Sequence, residues 1–181
     1  MRTLRRFLVL AALAFWLGGF TFYAAVVVPI GTDVLRSALD QGMITRRVVF
    51  WLNVSGACAQ VVLLADVLVC SWRCRAGLGG WLFLARLGLW LFLAAAQAAL
   101  FLLHRHLDAM IDPVAVTISD ETAFHLAHRV YLWLQTVQWL AGLLFIALML
   151  RAWQHEDEGR ATRMSGAALG EDRMREKVFR R

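Results

Sequence analysis

Four stretches of the chain are almost free of charge, and together they constrain the fold more than any other feature. No residue from Phe7 to Thr32 is charged. Val48–Ala65 carries no charge either, and Val67–Trp72 continues it after the single Asp66. Between Ala76 and Leu103 only Arg86 interrupts, and Val130–Leu150 is again uncharged. A helix needs about 20 apolar residues to cross roughly 30 Å of hydrocarbon. Lipid offers no partners to backbone amides, so crossing segments are helices or closed barrels. These runs are continuous rather than alternating, which argues against a barrel. With 60% hydrophobic and 18% charged residues, the chain is too apolar for an ordinary soluble domain. The expected fold is all-α: a four-helix transmembrane bundle with a short interfacial helix and a cytoplasmic tail. The helices are expected at 7–30, 48–71, 79–104 and 121–152, in one domain over 1–153. The charged tail, 154–181, is expected to be partly disordered.

The basic start, "MRTLRR", resembles that of a signal peptide, but the apolar stretch runs on to Ile30. That exceeds the ~7–15 residues of an h-region, so a retained first helix is expected. Orientation follows Lys and Arg. Arg2, Arg5 and Arg6, then Arg73 and Arg75, then eight basic residues in 151–181 put thirteen on one side. Arg36, Arg46, Arg47, Arg105 and Arg129 put five on the other. Both termini are therefore expected in the cytoplasm. The tail has seven basic and six acidic residues, a balance unsuited to nucleic acid, which calls for one sign of charge concentrated on a surface. The expected partners are the lipid bilayer and a second copy or another membrane protein.

In the outer loop, Thr32 or Asp33 can cap a helix start and Gly42 can close its end. Val34, Leu35, Ala38 and Leu39 would share one face, hence the short interfacial helix. The second outer loop is broken by Pro113, and Ser119 with Asp120 and Glu121 favours a helix start near Asp120. "GLGG" at 77–80 is a turn into the third helix. Cys58, Cys70 and Cys74 form no disulfide framework and are expected as free thiols. On the first helix Gly18, Thr21 or Phe22, and Ala25 form a small-residue face suited to close helix packing. Gly18, Gly19 and Pro29 are its packing and breaking residues, with Pro29 expected to end or kink it.

Helical spacing places the polar residues in stripes. Arg86, Trp90, Gln97, Phe101 and His104 share one stripe of the third helix. His128, Tyr131, Gln135, Gln138 and Gly142 share one on the fourth, with His125 at its edge. Asn53, Ala57 and Gln60 align on the second. Polar residues in membrane helices face the bundle interior, so Asn53, Gln60, Gln97, Tyr131, Gln135 and Gln138 are expected to line it. Asp66 and Arg86 lie at matching depth on neighbouring helices, and an ion pair is expected. Either these groups join the helices, or they line a path for a proton, ion or small solute.

Four of the five histidines fall within 104–128. His125 and His128 share a face, and His104 approaches from the preceding helix. Imidazole suits Zn or Cu, and a b-type haem would take one histidine from each of two facing helices, such as His104 and His128. The spacing is not a recognised zinc pattern. No cofactor is the leading expectation, with Cu, Zn or haem b at His104, His128 and His125 as the alternative.

The segment "FWLGGFTFYAAVVVP" resembles the start of small bacterial four-helix membrane proteins of the transmembrane-protein-205-like group, a domain of unknown function. "FHLAHRVYLWLQ" is similar to the motif opening their last helix. Trp16, Gly18, Gly19, Phe20 and Pro29 carry the first likeness, and Phe124, His128 and Gln135 the second. Gln135 stands where that motif often has Asn. There is a looser likeness to copper-resistance-D-like membrane proteins. The resemblance implies the same architecture in a bacterial inner membrane, and its copper link adds weight to the histidines. The leading expectation for function is a non-enzymatic integral membrane protein, structural or transport-related. The alternative is a metal- or haem-binding membrane protein.

Overall fold

The computed structural model describes residues 2–35, 38–73, 79–112 and 117–179. Arg36, Cys74, Arg75, Gly77, Leu78, Pro113, Arg180 and Arg181 lie outside the described residues, as do the side chains of Ala38, Leu39, Cys70 and Asp112. The described chain is almost wholly helical. Four helical rods follow one another: α1 (Arg2–Leu35), α2 (Ala38–Arg73), α3 (Gly79–Ala109) and α4 (Glu121–Phe179). All four are long and apolar enough to cross a membrane. Each extends beyond its uncharged run, because helical hydrogen bonds lie within the backbone and do not depend on side-chain charge.

α1 contains two π-helical turns, Ala14–Gly18 and Tyr23–Val27. The second resolves the problem posed by Pro29, which has no amide hydrogen. Immediately before it the Val28 N–H bonds the Tyr23 carbonyl, five residues back. The helix then continues to Leu35, so Pro29 does not end it.

The separate interfacial helix is corrected by the structure. Residues 31–35 belong to α1, and Gly42 lies inside α2 rather than closing a helix. Thr32 caps nothing, since its hydroxyl turns back to the Val28 carbonyl at 2.9 Å. Gln41 Nε2 donates to that same carbonyl at 3.0 Å, tying the end of α1 to the start of α2. The segment after residue 153 continues α4 as helix to Phe179.

Between α3 and α4 the chain turns through a two-residue antiparallel pairing, Ile111 opposite Ile118 and Asp112 opposite Thr117. Asp120 then starts α4, its Oδ1 accepting the Ala123 N–H at 2.9 Å.

Contacts along the rods show that neighbours run antiparallel. Gln97 of α3 meets Asn53 of α2, Trp90 meets Gln60, and Arg86 meets Asp66. Arg5 of α1 likewise meets Asp66, while Trp16 lies beside Gly56. Trp139 of α4 donates to Thr21 of α1 at 3.1 Å, and Arg6 reaches the Trp153 carbonyl. An apolar core of Val9, Leu13, Trp16, Leu63, Leu93, Phe145 and Met149 fills the centre. A smaller cluster of Leu100, Leu107 and Tyr131 lies toward the α3–α4 turn.

The small-residue face of α1 points outward: Gly18, Thr21, Phe22 and Ala25 are all exposed, and a Cβ on Gly18 would meet nothing. At about 100° per residue Gly18 lies on the side opposite the buried Val9 and Trp16, so this face is turned away from the core. Gly19 does approach Leu52. The closest approaches fall at Gly56 and Gly142. A Cβ on Gly56 would run into the Gln97 carboxamide oxygen and lie 2.8 Å from Trp16 Nε1, and one on Gly142 would lie 3.0 Å from Leu17.

Gly56→Ala is therefore expected to destabilise the fold by about 1–3 kcal/mol, as overpacking does. Gln97 could swing aside only by breaking its hydrogen bonds, and Trp16 is rigid. Gly18→Ala should stay within about 0.5 kcal/mol of the parent. Thermal unfolding of the two purified variants in detergent checks the contrast.

Candidate functional site

The bundle interior holds two polar layers. The first lies toward the α3–α4 turn and is built from side chains that repeat every three or four residues. Asn53 of α2, Gln97 of α3, and Tyr131, Gln135 and Gln138 of α4 are all buried. Gln97 Nε2 donates to the Asn53 carbonyl at 3.2 Å and approaches Asn53 Oδ1 at 3.4 Å. The Tyr131 hydroxyl donates to the same Oδ1 at 3.2 Å. Gln138 Nε2 lies 3.1 Å from Gln97 Oε1 and 3.2 Å from the Leu93 carbonyl. Gln135 leans on Gln138 at 3.4 Å. Three helices are thus joined by carboxamides, each of which can both donate and accept. Each such hydrogen bond contributes only about 1 kcal/mol net, so this layer contributes more to register than to total stability.

The second layer, toward the N-terminus of the chain, is ionic. Arg86 Nη2 lies 2.5 Å from Asp66 Oδ2, with both side chains essentially inaccessible. Asp66 has two further neighbours: Arg5 Nε at 3.4 Å and the Trp153 indole N–H at 3.4 Å, both on Oδ1. Arg5 Nη2 also donates to Glu156 at 2.7 Å. Glu156 is buried, although it belongs to the segment read from sequence as a solvated tail. Outside it, Arg6 grips Asp157 through both terminal nitrogens, at 2.8 and 3.0 Å, and Arg2 reaches Asp157 at 3.2 Å. The Arg6 guanidinium stands over the Trp153 ring at 5.1 Å, and that of Arg86 over Phe145 at 5.7 Å. The Asp157 side chain is 53% exposed, so its pairs are screened by solvent and salt and fasten the helix ends only weakly.

Gln60 sits between the layers, with its backbone carbonyl accepting the Trp90 indole N–H at 2.8 Å. Ala57, aligned with it from sequence, is only partly buried, and Gly56 holds the close contact instead.

Among the described residues no three His, Cys, Asp or Glu side chains are grouped to hold an ion. His104 is buried, lies 3.7 Å from Asp108, and has its ring near Phe50. Asp108 is already engaged by Arg46 at 2.7 Å. His128 stacks on Phe124, while His125 is exposed. His106 is exposed as well. Cys58 is an exposed free thiol.

Sequence reading missed Arg5, Trp153, Glu156 and Gly56. The signal for Glu156 was present. Gln135, Gln138, Gly142, Phe145, Met149 and Ala152 step by three and four, and one more step lands on Glu156. Likewise Trp16, Leu13, Val9 and Arg5 share one spacing on α1. Stopping each stripe at the edge of its uncharged run concealed both.

Removing one partner from a buried ion pair typically costs about 3–5 kcal/mol. Asp66→Asn should cost more than Arg86→Leu, because it leaves buried Arg86 without a carboxylate while Arg5 keeps Glu156, whereas the latter leaves Asp66 with Arg5. The double change Asp66→Asn/Arg86→Leu should recover part of the loss, and adding Arg5→Leu should cost stability again, because it removes the nearest partner of buried Glu156. Chemical unfolding of the four variants in mixed micelles tests this order, and additive losses would contradict it.

Comparison of the chain with protein-family models, with curated proteins and with solved structures returns no match.

Proposed function

We propose that this chain is a non-enzymatic, multi-pass integral membrane protein of the bacterial inner membrane, with both termini in the cytoplasm. Its polar interior serves to hold four crossing helices in register. One observation carries the reading: burial is inverted relative to a water-soluble domain. Asn53, Gln60, Asp66, Arg86, Gln97, Gln135 and Gln138 are each 6% exposed or less. Phe15, Trp51, Val61, Leu84, Leu102 and Trp133, from all four helices, are each 66% exposed or more. In water such a surface would drive aggregation. Against lipid tails it costs nothing, and all of these polar side chains but Gln60 bond other side chains or carbonyls inside the bundle.

The asymmetry of Lys and Arg supports the orientation. The ionic layer then sits at the cytoplasmic end, and His104 at the outer end. The family likeness in Trp16, Gly18, Gly19, Phe20 and Pro29 points the same way. Lipid is the partner on this reading, and another membrane protein or a second copy could share the outward apolar faces. The structural role is favoured over a solute path because the polar side chains of the amide layer bond one another across helices. An apolar core containing Leu63, Leu93, Phe145 and Met149 also occupies the centre of the bundle.

The chain should stay with the membrane pellet after alkaline carbonate washing. A reporter that works only in the periplasm should be silent when fused after Arg181 and active when inserted between Asp112 and Thr117. Release by carbonate would sink the membrane reading, and the opposite reporter pattern would reverse the orientation.

A further inference from the structure

Gln60 is the one interior carboxamide whose side chain bonds nothing among the described residues. It is 5% exposed, and both Nε2 and Oε1 are buried without a hydrogen-bond partner. Its neighbours on the same stripe behave differently. Gln97 and Gln138 bond across helices through their amides. Asn53, two turns before Gln60, uses its Oδ1 but leaves Nδ2 buried and unpaired. A buried polar group left without a partner costs about 1–3 kcal/mol, and native structures keep few of them.

The surroundings suggest what completes them. Side chains on a helix lean toward its N-terminus, so Gln60 leans over the turn that holds Gly56. That turn has no Cβ, and Gln97 Oε1 and Trp16 Nε1 converge on the space where one would be. Asn53 lies one turn further back on the same face. Around this glycine stand an acceptor from α3, a donor from α1, and unpaired groups of α2.

We infer that ordered water is bound inside the bundle at the Gln60 carboxamide, accepting from Nε2 and donating to Oε1. Because a donor and an acceptor of one carboxamide are both free, the ligand must donate and accept together. A simple ion does only one of these. Water is the smallest molecule that does both. Buried water commonly makes about three hydrogen bonds to groups of this kind. The amide layer is therefore wet at its inner edge, and the site deepens the reading of the interior as a bonded polar network, on which it rests.

The test uses the full chain, with 15N-labelled glutamine side chains and backbone, reconstituted in lipid bilayers. Polarisation transfer from water is followed by solid-state NMR. The Gln60 side-chain amide should gain signal several-fold faster than the backbone amide of Leu93 in the apolar core. Gln60→Met should abolish that fast signal and so assign it. Transfer to Gln60 no faster than to Leu93 would overturn the site. Stability gives a second reading, because Met matches the shape of Gln without its polar atoms. A fall in unfolding temperature for Gln60→Met supports a water-bonded amide, and a clear rise means a dry, orphaned amide and overturns the inference. Failure of the membrane reading would appear separately, in carbonate extraction and the reporter fusions.

Discussion

Asp66 is a single carboxylate on α2 held by groups from each of the other three helices: Arg5 of α1, Arg86 of α3 and Trp153 of α4. An ionised carboxylate in a low-dielectric interior is tolerated only when its charge is matched and its oxygens are bonded. Meeting that requirement brings all four helices to one level of the bundle. Arg5 then passes the constraint on to Glu156, and Arg6 extends it to Asp157. The N-terminal turns of α1 and the middle of α4, about 150 residues apart in sequence, are thereby fastened together. The boundary between helical domain and tail therefore does not fall at residue 153, because Glu156 and Asp157 belong to the bundle's own network.

The amide layer works by a different principle. Carboxamides carry no net charge, so burial costs them less than it costs ions, and each can bond in two directions at once. Asn53, Gln97 and Gln138 use this to link α2, α3 and α4. A slip of one residue along any helix would rotate these groups out of reach by about 100°. Directional bonds at one level and charge pairing at the other thus fix rotation and translation together. The apolar side chains between them supply contact area with little orientational preference.

Gly56 is where this arrangement is tightest. Its missing side chain lets Trp16 of α1 and Gln97 of α3 approach the same turn of α2. The exposed small residues of α1 contribute nothing of this kind, because they face away from the buried Val9, Leu13 and Trp16. On the outside, large apolar side chains such as Phe15, Trp51, Leu102 and Trp133 are exposed.

The number of helices, the inward stripes and the matched depth of Asp66 and Arg86 could be read from residue order. They depend on local periodicity and on the cost of placing charge in hydrocarbon, and both act on each segment separately. The shared role of Asp66, the capture of Glu156 and the choice of Gly56 over Gly18 could not. Each depends on which helices become neighbours and how they are rotated. The histidines show the same division. Their place at the helix ends follows from the sequence, whereas their separate engagement, His104 with Asp108 and His128 with Phe124, was decided by packing. Residue order determined which groups had to be inside, and only the tertiary structure decided which of them meet, because hydrogen bonds and ion pairs act over a few ångströms between segments far apart in the chain.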